Sequence, residues 1–386
     1  MAVDTLYFSR DTKMYVKIGN TNVWEIPVLD GFSFTQANNS TEVVLAEMED
    51  SNGISKRGRR VFNDSLAPVE WSFSTYARPF KSAGSNTAGN AEKNGTQAHH
   101  AVEEVLWALM VGDAAYTAPG ASQAFALTGF TSDATDLDIA FSSSNKSTLG
   151  TADIFFSLDD GGSHGVVYKM ADAVVNEVTI DFDIDGIATL NWSGFAKTLT
   201  EDSKPTRTVF EAINSTNNYI RNRLTQLTIT AGDTTTFPGS GSGVYTLTLI
   251  GGSVTVSNNM TFLTPETIGA VNLPLGHVTG ARSISGTFSC YLGLDSGTNT
   301  GTSTDFFNDL TSAAARAKVV NSFATEFKIG GTSAPFLNMT FPTAHFEIPS
   351  HSIEDVISLE TTFQALPSTI ASTNEMTLKY KGVTPD

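Results

Sequence analysis

Asp181, Asp183 and Asp185 stand at alternate positions and are followed by Gly186, which matches the opening of a calcium loop, D-x-D-x-D-G. Such a loop closes with a bidentate Glu at its twelfth position, but counting from Asp181 that position is Trp192. The carboxylates instead alternate with Val178, Ile180, Phe182 and Ile184, as on a strand with one apolar and one acidic face. His99-His100 could ligate a metal only with converging partners, and no cysteine or carboxylate cluster is spaced to supply them. The pair reads as a solvated entry to a helix. Gly161-Gly162-Ser163-His164-Gly165 misses the G-x-S-x-G spacing of a nucleophile elbow and reads as a hairpin loop. Glu103-Glu104 are neighbours on a predicted helix and point in different directions, so they form no acid–base dyad. Cys290 reads as a small buried strand residue, and a single thiol makes no internal disulfide. With no phosphate loop, triad or cofactor fingerprint, the residues predict no enzyme, no metal and no cofactor.

The remaining charge feature is basic. Lys56, Arg57, Arg59 and Arg60 cluster around Gly58 in a chain of net charge −17. Three readings are open: a solvated loop, bidentate docking of arginines onto an acidic surface of a neighbouring copy, and nucleic-acid binding. The last is disfavoured, because neutralising phosphates needs a cationic excess. The N-terminus MAVDTLYFSRDTK lacks the basic-then-apolar pattern of a signal peptide. No apolar run reaches the ~20 residues of a membrane helix. A chain made in a reducing cytoplasm, with no membrane partner, is expected.

The elements that position these residues are mostly strands. Only 16 % of the 386 residues are charged, and the polar surface is rich in Ser, Thr, Asn and Gly, which suits sheets and turns. Tyr15–Ile18 and Val23–Val28 flank a hairpin turn, and Val69–Tyr76 alternates with a period of two. Further strands are expected at 137–141, 152–158, 165–170, 176–184 and 188–196, with a loose loop over 81–97. Ala101–Val111 carries an apolar stripe at helical spacing, with Gly112 at its stop. Thr287-Phe288-Ser289-Cys290-Tyr291 echoes Ser72-Phe73-Ser74-Thr75-Tyr76 at an offset of 215, and Ile284 falls on Val69. Asp183–Leu190 lies over Ser352–Leu359 at an offset of 169, with Glu177-Val178 and Glu347-Ile348 within one residue of that. A second helix is expected over Asp305–Val320 and a second hairpin at Tyr245–Ile250 and Ser253–Ser257, turning on Gly251-Gly252. The repeated order predicts a duplicated chain, 1–205 and 206–386, with a joint in the polar stretch Glu201–Asn218.

Arg57–Tyr76 (RGRRVFNDSLAPVEWSFSTY) resembles the major tail tube proteins of long, non-contractile-tailed bacteriophages, of the kind with two fused tube domains. So do Asn217–Ile229, Gly251–Ile268 and Ala344–Val356. The resemblance implies a mainly β (α+β) fold of two tandem tail-tube modules. Each is a pair of packed antiparallel β-sheets with one flanking α-helix and a long hairpin that reaches the next ring. It also implies a homotrimeric, pseudo-hexameric ring that stacks into a tube, located in the virion after assembly in the host cytoplasm. A tape measure protein inside and tail-end completion proteins are the implied partners, with double-stranded DNA passing through without specific binding. No C-terminal immunoglobulin-like domain is expected. An acidic channel repels DNA towards its axis, so Asp181, Asp183 and Asp185 are candidates for the lumen face, and Lys56, Arg57, Arg59 and Arg60 for contacts between rings or subunits. An outer-membrane-type β-barrel, or another secreted β-rich binding protein, is the alternative.

Overall fold

The computed structural model describes residues 7–29, 31–43, 51–53, 60–82, 97–112, 130–141, 149–158, 165–263, 273–294, 300–370 and 372–386. It is mainly β, with antiparallel pairing between its strands. In chain order the first half contributes β1 (Thr12–Ile18), β2 (Asn22–Ile26), β3 (Ser33–Val43), β4 (Arg60–Tyr76), β5 (Pro79–Lys81) and β6 (His99–Ala101). Helix α1 (Glu104–Val111) follows, then β7 (Phe130–Ser132), β8 (Leu137–Ala140), β9 (Ala152–Leu158), β10 (Val166–Asp183), β11 (Thr189–Ala196) and β12 (Thr198–Glu201). The second half opens with β13 (Gln226–Ala231), β14 (Val244–Leu247), β15 (Leu249–Ser257), β16 (Thr261–Leu263), β17 (Gly276–Val278) and β18 (Ser283–Tyr291). It ends with α2 (Ser303–Thr311), α3 (Ala313–Arg316), β19 (Phe323–Ile329), β20 (Phe336–Phe346), β21 (Ser350–Ile353), β22 (Ile357–Ala365) and β23 (Thr377–Lys381).

Both halves follow one plan. In the first, the β1–β2 hairpin pairs through β1 with β9, and β9 with the early part of β10. Then β10 bends and its later part joins a second sheet ordered β3-β4-β11-β10. In the second half, the β13–β14 hairpin pairs through β13 with β19, and β19 with the early part of β20. The end of β20, with β21, then joins a sheet ordered β15-β18-β22. The two second sheets are continuous, because β10 pairs with β15 from Glu177↔Ser257 to Asp183↔Gly251. We call this eight-stranded run the central sheet.

Two expectations are corrected here. The strands at 165–170 and 176–184 are one long strand, bent where Asp172 takes φ +52° and the register slips between Met170 and Ala173. Gly251-Gly252 is no turn but lies inside β15, and β14 pairs with β13 instead. A Cβ at Gly252 would lie 2.5 Å from the Thr287 carbonyl oxygen and 3.0 Å from the Phe182 ring. The glycine therefore serves close approach of β10 and β18, not chain reversal.

One face of the central sheet packs into the core. Val69, Trp71 and Phe73 of β4, Val178 and Ile180 of β10, and Phe288 of β18 are all buried there. Every residue of α1 is buried, so the single stripe expected for it gives way to an all-round apolar helix. Its Trp107 packs edge-on against Trp192 at 5.0 Å and donates to the Tyr380 hydroxyl at 2.7 Å. The second expected helix is broken at Ser312, whose extended backbone ends α2 while its hydroxyl accepts from Ala315 N–H to start α3.

Candidate functional site

The period of two puts the small polar residues of the central sheet on the face opposite the core. One row runs Ser74, Asn191, Thr179, Thr255, Ser285, Gln364, His345 across seven strands. Hydroxyls and amides bond along it: Ser74 Oγ donates to Asn191 Oδ1 at 2.6 Å, and the Thr179 and Thr255 hydroxyls lie 3.0 Å apart. Glu70, Glu177, Asp181, Asp183, Glu347 and Glu360 carry negative charge on this face or at its margins. No lysine or arginine occurs in the paired segments 33–36, 69–76, 174–183, 189–196, 249–257, 283–291, 344–346, 350–353 and 357–365. The face is mainly acids, hydroxyls and amides, interrupted by His345 and, at the end near the arms, by Phe195, which packs with Phe262.

Of the three candidate acids, two lie on that face. Asp181, half-buried opposite Ser253, accepts from Asn191 Nδ2, and burial raises its carboxyl above the usual carboxylate range against that hydrogen bond. Asp183 is exposed and accepts from Ile184 N–H at 2.7 Å. Asp185 is not on a strand, because β10 ends at Asp183; it lies in the following turn, 3.9 Å from Arg223, with both side chains exposed. Glu70, Glu177, Glu347 and Glu360 escape the sequence reading, although the alternation of Val69–Tyr76 already turns Glu70 away from the core.

Of the basic cluster, Lys56, Arg57 and Arg59 lie outside the described residues, as do most of the 81–97 loop and 161–164. Arg60 is exposed at the start of β4, opposite Val43. It belongs to an arm in which β3 and β4 continue past the central sheet, pairing from Asn38↔Leu66 to Val43↔Arg60 and carrying exposed Val61 and Phe62. The β16–β17 hairpin is the matching arm of the second half, with Leu263, Leu275 and Val278 exposed. Both arms leave the same end of the central sheet. At its opposite end lie the turn after Asp183, the turn at 354–356, and exposed Ile184, Leu224, Ile353 and Val356. A shallow cavity of about 530 Å³ at that end is lined by Ile187, Tyr219, Arg221, Leu224, Ala334 and Pro335, with no acid–base pair converging on it.

The titratable groups near α1 are deeply buried, which corrects the reading of His99-His100 as a solvated entry. Both histidines sit on β6 with at most 2 % exposure, and Glu103, Glu104 and Glu211 are equally enclosed. His99 Nδ1 accepts from Gly382 N–H at 3.0 Å, His100 Nδ1 lies 3.3 Å from Glu104, and Glu103 receives Arg78 N–H at 3.2 Å. The Arg78 guanidinium donates to the carbonyls of Ile213 and Ser215, tying the polar joint to the first half. Among the described residues no group of three or more His, Cys, Asp or Glu could hold a metal ion.

Burial pushes Glu103 up to about 7 from 4.5, and pulls His99 and His100 down to about 4 from 6.5. Glu211 is raised well above its usual range by burial and then by the Glu104 carboxylate. A carboxyl raised on folding stabilises the fold below its unfolded value of 4.5, and that contribution is lost as pH rises through about 7. The histidines act oppositely: their contribution is complete above 6.5 and lost as pH falls towards 4. The effects offset each other between 4.5 and 6.5, and above 6.5 only the carboxyls remain. The melting temperature is therefore expected to fall between pH 6.5 and about 8.5, less steeply in Glu103→Gln. A flat wild-type profile from differential scanning fluorimetry over that range defeats this assignment.

No protein-family model matches the chain. A curated relative, tail tube protein pb6 of Escherichia phage T5, is 29 % identical over 386 aligned residues, covering 96 % of this chain and 75 % of the relative. No helix among the described residues is long and apolar enough to cross a membrane.

Proposed function

Given that this chain is a homologue of a phage tail tube protein, a structural virion component rather than an enzyme, we propose that it polymerises as stacked trimeric rings into the tail tube. Each chain contributes two tube modules, 1–205 and 206–386. The polar face of the central sheet lines an acidic channel for DNA. A tape measure protein fills that channel during assembly, and completion proteins close the tail end. The two arms contact the apolar far end of the next ring, and Lys56, Arg57, Arg59 and Arg60 contribute contacts between rings or subunits.

One observation carries the ring. The seam between the halves is a strand pairing, β10 with β15, and the two outermost strands of the same sheet have no described strand on their outer edges. No described strand pairs with the outer edge of β3, the counterpart of β15, or with that of β21, which continues the counterpart of β10. Open edges of this kind pair with another chain unless they are covered. Repeating the internal seam between copies sets a register. Thr179↔Thr255, Ile180↔Val254 and Asp181↔Ser253 become Ser350 opposite Thr35, His351 opposite Phe34 and Ser352 opposite Ser33 of the next copy. Three chains so joined close a sheet of 24 strands, eight from each, into a barrel wall with no edge left. Negative-stain electron microscopy of the concentrated protein tests the reading: rings or tubes with threefold symmetry are expected, whereas isolated particles at high concentration count against it.

A further inference from the structure

Asn258, just past β15, is the residue that locks the internal seam. Its backbone N–H donates to Asn176 O at 2.8 Å, and its buried side-chain Nδ2 donates to Val175 O at 3.3 Å and to Met110 O, at the end of α1, at 3.0 Å. One side chain thus ties the second half to both a strand and a helix of the first. The same segment recurs earlier in the chain. Thr35, Asn38 and Asn39 precede Thr255, Asn258 and Asn259 by the same 220 residues. The ladders keep that offset, with Gln36 opposite Val69 and Val256 opposite Ile284. The second asparagine behaves alike in both, bridging within its arm: Asn39 to Ser65, and Asn259 to Ser283. The first does not. Asn258 is buried in the seam, whereas Asn38 is exposed on the open side of the central sheet.

The strand position that Asn38 would address is identifiable. Val175 stands opposite Gly194 on β11, and Phe346 stands opposite Phe363 on β22, at the offset of 169 that relates those two strands. In the single chain, Phe346 is already served by a side chain. Asn321 Nδ2 donates to Phe346 O at 2.9 Å, and Phe346 N–H donates to Asn321 Oδ1 at 2.8 Å. A primary amide bonded both ways mimics a neighbouring strand and covers this stretch of edge.

We propose that Asn38 is a specificity residue for assembly, docking on the Phe346 carbonyl of a second copy as Asn258 docks on Val175, and displacing the Asn321 amide that guards it. This rests on the ring proposed above. Asn38 is exposed in the free chain, where solvent can satisfy its amide, so its removal leaves the monomer intact. In the closed seam the same removal takes away the bond from Asn38 to the Phe346 carbonyl, which then stays with Asn321, so only the assembled state loses a contact between copies.

The test compares wild type, Asn38→Ala and Asn321→Ala by melting temperature and by the concentration at which tubes appear in sedimentation and negative stain. Asn38→Ala is expected to melt like wild type and to need about tenfold or more protein to polymerise. Asn321→Ala is expected to polymerise at lower concentration than wild type. Asn38→Ala assembling at the wild-type concentration overturns the docking role, and Asn321→Ala that is unchanged or slower overturns the displacement. If wild-type protein forms no tubes under any condition, the ring reading itself falls and this inference with it.

Discussion

His351→Pro is expected to leave the chain folded and to abolish tube formation at concentrations where the wild type polymerises. The reason lies in which way β21 turns its backbone groups. Ile357 accepts from Leu292 N–H at 3.0 Å, so it faces β18, and the next residues, Ser358 and Glu360, face β21 alternately with it. Their partners Ser352 and Ser350 are bonded inward, which leaves His351 and Ile353 presenting N–H and C=O to the open edge. Pro349, one pleat earlier, already lacks a donor there. Within β21 His351 therefore holds the first donor on the outer edge, and proline at 351 removes it and sets a ring against the incoming strand. The cost to the single chain is small, because His351 is exposed and gives up mainly an edge contact with Phe307 at 4.5 Å, about 1 kcal/mol or less. The cost to a ring recurs at every seam. Circular dichroism and sedimentation on the same sample separate the two effects, and normal polymerisation of His351→Pro removes β21 from the interface.

How much of this is legible in the sequence differs by element. The alternation of Val69–Tyr76 and its echo at Ile284–Tyr291 identify β4 and β18, and the offset of 169 identifies β11 and β22, because each pairs there without a register shift, β4 with β11 and β18 with β22, and buries one face. The long strand β10 reads as two, since its bend at Asp172 looks in sequence like a break. Gly251-Gly252 reads as a turn because close backbone approach and chain reversal call for the same residue, and only the neighbouring Phe182 ring and Thr287 carbonyl tell them apart. The buried histidines mislead for a related reason. Local polarity at 97–100 says nothing of the C-terminal Gly382, whose N–H reaches His99 from 283 residues away.

The candidate acids show the same limit. A D-x-D-x-D pattern predicts one face only as far as the strand runs, and β10 stops before Asp185. Glu177 shares their strand and its period of two, whereas Glu347 and Glu360 join Asp181 and Asp183 only through cross-strand register, which a single sequence does not display. The matching asparagines are equally visible as letters. Their meaning comes from a difference in burial between two equivalent places.

Charge reversal on the polar face is the second large effect. The triple variant Glu70→Lys, Glu177→Lys and Glu360→Lys is expected to assemble into tubes of normal appearance that hold double-stranded DNA, where wild-type tubes hold none. These side chains point away from the core, and no lysine or arginine shares their strand segments, so the substitutions leave the packing of Trp71, Val178 and Leu359 unchanged. Each chain changes by six units of charge, from three carboxylates to three ammonium groups, and every ring of the proposed trimer multiplies that threefold. Lysines facing a duplex release its counterions, so retention should fall steeply with added salt, with a log–log slope of about −0.9 for each phosphate neutralised. In particles carrying the variant tube, DNA release is expected to slow for the same reason: a wall that repels the duplex lets it slide, and one that binds it adds a barrier at each ring. Fluorescent duplex co-sedimenting with purified tubes, measured across a salt series, reads this directly. Variant tubes that hold no more DNA than wild type at low salt place these carboxylates away from the channel.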